Sequence, residues 1–528
     1  MDESVGEEGP SSTVAKPLGA EEEWGGGRQC RPPVRIGNLT PSPGHSNVYS
    51  QVELDGVIYM STANLSLPVA VYALWKLEDV SGGHGPADWR TTRLLGDVYS
   101  PPLSLTVMGG KVFFVYNDGV RGSELWKTDG TPGGTVPVKD INPFGEAFPE
   151  FPQAMVAVGR TLYFSANDGT RGEELWRSDG TTNGTRLVKD IAPGAGGSAP
   201  GPFFVDGQRL LFAADDGVQG RELWKSDGTT GGTRLVKDIA QGAAGSSPDS
   251  LFRLDDDEIL FVADDGVHGR ELWKTDGTRA DTELVEDIRP GSEGSGIQSM
   301  TLARRTVFFT ADDGAHGREL WATKGCEDDT RLVKDLRPGV VGSMPRNLAA
   351  LGGSVVMAAD DGTYGREPWK SDGTAGGTVL LADTYPAPGS PPPGYEVNGM
   401  VTAGSKVFFY AVTPTTGLEP WVTNGTPSGT HLVKDIFPGP ANSISGDSDP
   451  FFPVGGGVLF RAYVDTLGFE PWWSEGTAAG TKMADISPGP GSSSPGAYIS
   501  TRDWVVFIAD DGTGSEPWAL PTACFPKE

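Results

Sequence analysis

The chain has 528 residues and a formal net charge of −28. So acidic a chain is repelled by nucleic-acid phosphates and by anionic lipid, which sets aside DNA, RNA and bare membrane as partners. No apolar run approaches the roughly 18–20 residues of a transmembrane helix, and 14 tryptophans argue against a disordered chain. With 76 glycines and 42 prolines among so many aromatics, the composition predicts many short strands joined by tight turns.

In chain order, residues 1–33 come first. Within 1–29, Asp2, Glu3, Glu7, Glu8, Glu21, Glu22 and Glu23 stand against only Lys16 and Arg28, with little apolar side chain to bury. This predicts a disordered acidic tail over 1–33. Residues 1–20 lack the basic and apolar regions of a signal peptide. A β-propeller domain is predicted over 34–528. It opens with VRIGNLTP, which aligns with later segments such as LVKDI, and continues into a degenerate copy, ALWKLED, around Trp75. Full copies follow: ELWKTDGT, ELWRSDGT, ELWKSDGT and ELWKTDGT, with Trp126, Trp176, Trp224 and Trp273. Weaker copies carry Trp321, Trp369, Trp421, Trp472 and Trp518, so the tryptophans recur at intervals of 46 to 52 residues.

Each unit divides into four strand-length pieces, here a to d. In residues 201–240 these are GPFFVDG, RLLFAADDG, GRELWKSDG and GTRLVKDI, the first three ending at Gly and the fourth at Asp-Ile before the crossover. Four antiparallel strands in about 48 residues, repeated, is the signature of a propeller blade. Counting strand a gives ten blades; two five-bladed rings are the alternative. The last copy lacks strand d, so the N-terminal segment is expected to supply it as a velcro strand and remove the open edge.

The unit DDGxxGxELWxxDGTxxGTxLVxDIxPG resembles the ELWxxDGT repeat of bacterial secreted and cell-surface proteins. The resemblance covers roughly residues 34–520. It implies a β-propeller and an exported location, and brings no established activity. The pattern is broken in the copy at Trp75, at Lys324-Gly325-Cys326, and where Asn424 and Glu475 replace the turn aspartate.

The repeated residues point first to architecture. Asp129, Asp179, Asp227, Asp276 and Asp372 precede Gly in the c→d turn, where a carboxylate accepts from its own backbone. The tryptophan is expected to plug neighbouring blades, its indole N–H finding an acceptor. Glu124, Glu174, Glu222, Glu271, Glu319, Glu367, Glu419, Glu470 and Glu516 lie two residues before a tryptophan and share its strand face. Half-buried carboxylates need partners, and the indole N–H or the neighbouring Arg221, Arg270, Arg318 and Arg366 are the candidates.

The b→c turn brings acids together: Asp118, Asp168, Asp215, Asp216, Asp264, Asp265, Asp312, Asp313, Asp360, Asp361, Asp510 and Asp511. Paired carboxylates and loop carbonyls suit Ca²⁺, although Asp-Gly is also ordinary hairpin chemistry. These residues are the candidate metal ligands. Among the five histidines, His268 and His316 fill the same slot in successive copies. No nucleotide-binding loop or catalytic triad context occurs.

Irregular loops on a rigid scaffold carry function. Trp89 ends a long c→d excursion in blade 1, and Tyr385 and Tyr395 flank a proline-rich stretch between blades 7 and 8. All three are expected as exposed ligand-binding aromatics. Aligning Val34–Leu39 on Val136–Ile141 puts Cys30 at the position of Pro132; aligning Trp518 on Trp126 puts Cys524 there too. A Cys30–Cys524 disulfide is therefore expected where the hairpin is cut, with Cys326 left over. The functional expectation is a monomeric, secreted or cell-surface binding or adhesion module for a glycan or protein. The alternative is a polysaccharide lyase or hydrolase with its site in the central channel.

Overall fold

The computed structural model describes residues 31–525 apart from 40–45, 66, 68–69, 82–87, 99, 150–154, 387–395 and 446–450. The predicted tail, apart from residues 31–33, lies outside the described residues.

Alternation and turn chemistry produce the same meander ten times. Blade 4 is typical, with strands Phe203–Asp206, Arg209–Asp215, Arg221–Ser226 and Arg234–Lys237 in spatial order a-b-c-d. Ten such four-stranded sheets stand in one ring, so the chain is an all-β, ten-bladed propeller and not two five-bladed rings. Strand b is buried on both faces because a blade lies against each side of it, which is why it reads as a continuous apolar run such as LLFAA.

The core consists of interblade layers. Val158, Leu175, Val188 and Ile191 of blade 3 pack on Leu210, Phe212 and Trp224 of blade 4. Each tryptophan thus seals its blade to the preceding one. In blades 2 to 5 the c–d register shifts between the leucine and the tryptophan, as at Leu223/Trp224. That bulge bends the outer strand toward its neighbour.

Blade 10 takes its fourth strand from the other end of the chain. Val34 and Arg35 pair antiparallel with Ala519 and Trp518, and Ile36 donates its amide to the Pro517 carbonyl at 2.8 Å. Ile36, Leu39, Ile58, Met60 and Leu77 share one core with Val506, Ile508 and Ala519, which joins blade 1 to blade 10.

Candidate functional site

Strand order places the b→c turns and the d→a crossovers on one rim. The structure adds contact between them. In blade 3, Gly172 of the turn and Gly197 of the crossover pack backbone to backbone. A Cβ on Gly197 would lie 2.2 Å from the Glu173 nitrogen, and both residues have positive φ. Only glycine fits there, which accounts for the second Gly of DDGxxG and the Gly-Ser of the crossover.

The repeated glutamate fastens this joint. Glu174 is fully buried. It accepts from Ile191 N at 3.0 Å, Ala192 N at 2.9 Å and Ser198 Oγ at 2.7 Å, all in the crossover to blade 4. Glu222 takes Ala240 N and Ser246 N, each at 3.0 Å, and the Ser246 hydroxyl. The expectation of an indole or arginine partner is therefore corrected: the amides and serine of the crossover are nearer and otherwise orphaned. The arginines instead hold the start of strand a, as Arg270 does through the Ser247 carbonyl at 2.9 Å and Asp249 at 2.6 Å. Burial pushes Glu124, Glu271, Glu367, Glu419 and Glu470 up to about 7, against the pull of their amide donors.

Trp518 meets the expectation, donating its Nε1–H to the Ala509 carbonyl at 3.2 Å, but other tryptophans depart from it. The indole N–H groups of Trp126, Trp224, Trp273, Trp321 and Trp369 meet no acceptor. What faces the ring is a cation: Lys189 Nζ lies 5.2 Å from the Trp224 centroid and donates to the Thr233 carbonyl at 2.9 Å. Lys139 over Trp176, Lys237 over Trp273, Lys334 over Trp369 and Lys434 over Trp472 repeat this. The lysine belongs to the LVKDI strand of the preceding blade, so it is a cation–π strut between blades. The conspicuous signal was the Lys in every LVKDI, but only the ring brings it to a tryptophan.

In the acidic turns, both residues of each pair are used locally. Asp215 accepts from Gly217 N at 2.8 Å, and Asp216 from Val218 N at 2.9 Å and Gln219 N at 2.7 Å. Asp264 and Asp265, Asp312 and Asp313, and Asp360 and Asp361 repeat the pattern. Asp510 and Asp511 do so in blade 10. Asp118 and Asp168 add ion pairs to Arg121 and Arg171. Burial works to raise the Asp168 carboxyl, and hydrogen bonds from Thr170 and Arg171 override it, holding it at about 2. His268 and His316 pair through Nδ1 with Asp265 and Asp313, each at 2.7 Å. Those bonds raise both imidazoles above their ordinary value. Among the described residues, no group of three or more His, Cys, Asp or Glu side chains is placed to hold a metal.

Of the irregular aromatics, Trp89 is half-buried, its ring edge-on to Trp504 at 5.7 Å in the seam between blades 1 and 10. Tyr385 is half-buried against the core of blades 8 and 9. Tyr395 lies outside the described residues, as does Cys30. Cys524 is buried, its Sγ 3.7 Å from the Arg31 carbonyl oxygen. Cys326 is free and exposed.

A feature the sequence reading missed is the apolar character of the rim. Leu65, Leu67, Val120, Phe144, Val218, Val267, Val340, Val341, Met344 and Tyr364 all stand in b→c turns or d→a crossovers. They are ten of the fourteen large apolar side chains exposed among the described residues. Val120 and Phe144 are 84% and 83% exposed. The residue after the turn glycine, valine at Val120, Val218 and Val267, was the available signal.

No protein-family model and no curated protein matches the chain. Solved structures similar to it include a puromycin hydrolase, at 13% identity and TM-score 0.31, covering 68% of this chain and 58% of that one. A puromycin-hydrolyzing peptidase of Mycobacterium tuberculosis matches at 14% identity and TM-score 0.32, covering 70% and 58%. The β-propeller domain of the Trilobed protease from Pyrococcus furiosus matches at 10% identity and TM-score 0.29, covering 65% and 97%. The chain thus spans 58% of the length of the two hydrolases. None of their chemistry passes to this chain at that level of likeness.

Proposed function

We propose that the protein is an exported binding or adhesion module that presents its turn-and-crossover rim to a glycan or protein partner. One observation carries the reading: among the described residues, ten of the fourteen exposed large apolar side chains stand on that rim. Apolar side chains on short, tightly hydrogen-bonded loops are costly to leave in water and suited to contact. The repeated carboxylates support the same view, because each is already committed to backbone donors of its own joint or turn. Export rests on the resemblance of the repeat to secreted and surface proteins and on the proposed Cys30–Cys524 clasp. Among the described residues, no helix is long and apolar enough to cross a membrane.

The test is a glycan array and a polysaccharide depolymerisation assay on the wild type and on the Phe144→Ser/Val340→Ser variant. Retention of specific glycans, or of a defined protein ligand, that is lost in the variant supports the module. Depolymerisation that survives the rim substitutions overturns it in favour of channel chemistry.

A further inference from the structure

We infer that the occupant of this rim is a cationic polypeptide segment bearing apolar side chains, laid along blades 4 to 7. The inference rests on the binding-module reading and names the partner class. The rim offers one or more apolar tips per blade, among them Val218, Val267, Val340 and Tyr364, the first two 71% and 65% exposed. Between these tips stand carboxylates. Asp216 and Asp361 occupy the turn position at which Asp118, Asp168, Asp265 and Asp313 face Arg121, Arg171, His268 and His316. In their own turns Gln219 and Tyr364 replace the cation. Asp264 likewise has no ion-pair partner within 4.0 Å among the described residues, its strand partner Arg270 pairing with Asp249 instead, and Asp215 has only Arg221 at longer range. At blade 5 the rim opens into a cavity of about 420 Å³ lined by Asp249, Asp264, Arg270, Glu293 and Ile297.

Three occupants suit exposed apolar tips in general. Anionic lipid is repelled by unneutralised carboxylates on a chain of net charge −28. Sugars stack best on flat aromatic faces, whereas these tips are mainly valines. A polypeptide with alternating basic and apolar side chains satisfies both features: its cations meet Asp215, Asp216, Asp264 and Asp361, and its apolar groups cover the valines. Electrostatic attraction sets orientation and speeds association, and the buried apolar contacts set residence time.

The test is fluorescence anisotropy at physiological salt with a labelled peptide of alternating lysine and leucine. A lysine/serine peptide, an aspartate/leucine peptide and phosphatidylcholine vesicles serve as comparisons. The lysine/leucine peptide is expected to bind at least tenfold more tightly than either other peptide. The Val218→Ser/Val267→Ser variant is expected to bind it about tenfold more weakly. Asp216→Asn is expected to weaken binding and flatten its salt dependence, while Val379→Ser, on an outer strand, leaves affinity unchanged. Val218, Val267 and Val379 are exposed and Asp216 is half-buried, and circular dichroism checks that each variant is folded. Equal binding of the lysine/serine peptide overturns the inference, as does an unaffected double variant or tighter binding to vesicles. If the peptides fail while the glycan-array signal still depends on Phe144 and Val340, the module reading stands and only the partner class falls.

Discussion

The arc of blades 2 to 7 and the seam between blades 10 and 1 reach the same result by different means. In the arc, each joint is made within one repeat length: Glu174 reaches only to Ser198, and Lys189 to Trp224 in the next blade. In the seam, the corresponding bonds span nearly the whole chain. Leu39 donates its amide to Glu516 at 2.6 Å, the counterpart of Ile141 on Glu124 at 2.9 Å. Around that shared bond the seam has its own chemistry. Arg35 pairs with Asp511 at 2.8 Å, Trp504 donates to Asp79 at 3.1 Å, and Gln51 donates to the Ala497 carbonyl at 3.1 Å. The difference teaches that an arc joint closes a short loop at small entropic cost, whereas the seam must hold ends that are far apart in sequence.

The largest effect is expected from the glutamate clamp. Glu222→Ala strands two amides and a serine hydroxyl in a buried joint, and should cost about 3–5 kcal/mol in urea unfolding. Glu516→Ala should lose a similar amount and also free the first strand, read as new proteolytic cleavage near residues 34–39. Cleavage there in both variants would erase the distinction between arc and seam.

Next is the proposed clasp. Cys524→Ser should lower stability by about 2–4 kcal/mol, and non-reducing peptide mapping should recover Cys30 joined to Cys524. Free thiols at both positions in secreted protein would remove the clasp, and the argument for export would weaken with it.

A pH series probes the buried clamps of the arc. The clamp glutamates have folded-state pKa values raised to about 7, above their unfolded value. Between those two values the folded chain binds more protons than the unfolded one. Their contribution is therefore complete below the unfolded pKa and is lost as pH rises through about 7. His268 and His316, also raised, act in the same direction. The melting temperature should fall from pH 5 to pH 8, less steeply in Glu271→Gln; a flat profile would contradict the burial argument.

Smaller effects come last. Lys189→Met should cost about 1 kcal/mol by removing the cation from Trp224. Arg35→Ala, at a partly exposed pair, should cost less than about 1 kcal/mol. We also propose weak calcium sites at the acidic turns, chiefly those of Asp216 and Asp361, which have no cation opposite. Millimolar Ca²⁺ should then raise the melting temperature slightly, by about 1 kcal/mol per site at such affinities. Identical curves in calcium and EDTA would leave the turns purely structural.

The sequence by itself determined the blade. Gly and Asp at fixed offsets dictate turns within a few residues, and a buried strand b must be apolar on both faces. Those local causes repeat ten times, and the alignment of Val34–Leu39 on Val136–Ile141 matches the observed register, in which Arg35 lies opposite Trp518 as Pro137 lies opposite Trp126. Only the tertiary structure decided partners that belong to another segment. Glu174 bonds Ser198 and not an indole because the crossover folds back over the strand. Lys189 covers Trp224 because consecutive blades stack. Trp89 turns from an exposed platform into half of a seam contact because Trp504, more than four hundred residues away, lies beside it in the ring. The apolar rim emerged the same way: apolar residues scattered along the chain come to one side of the ring only when the turns and crossovers are brought together.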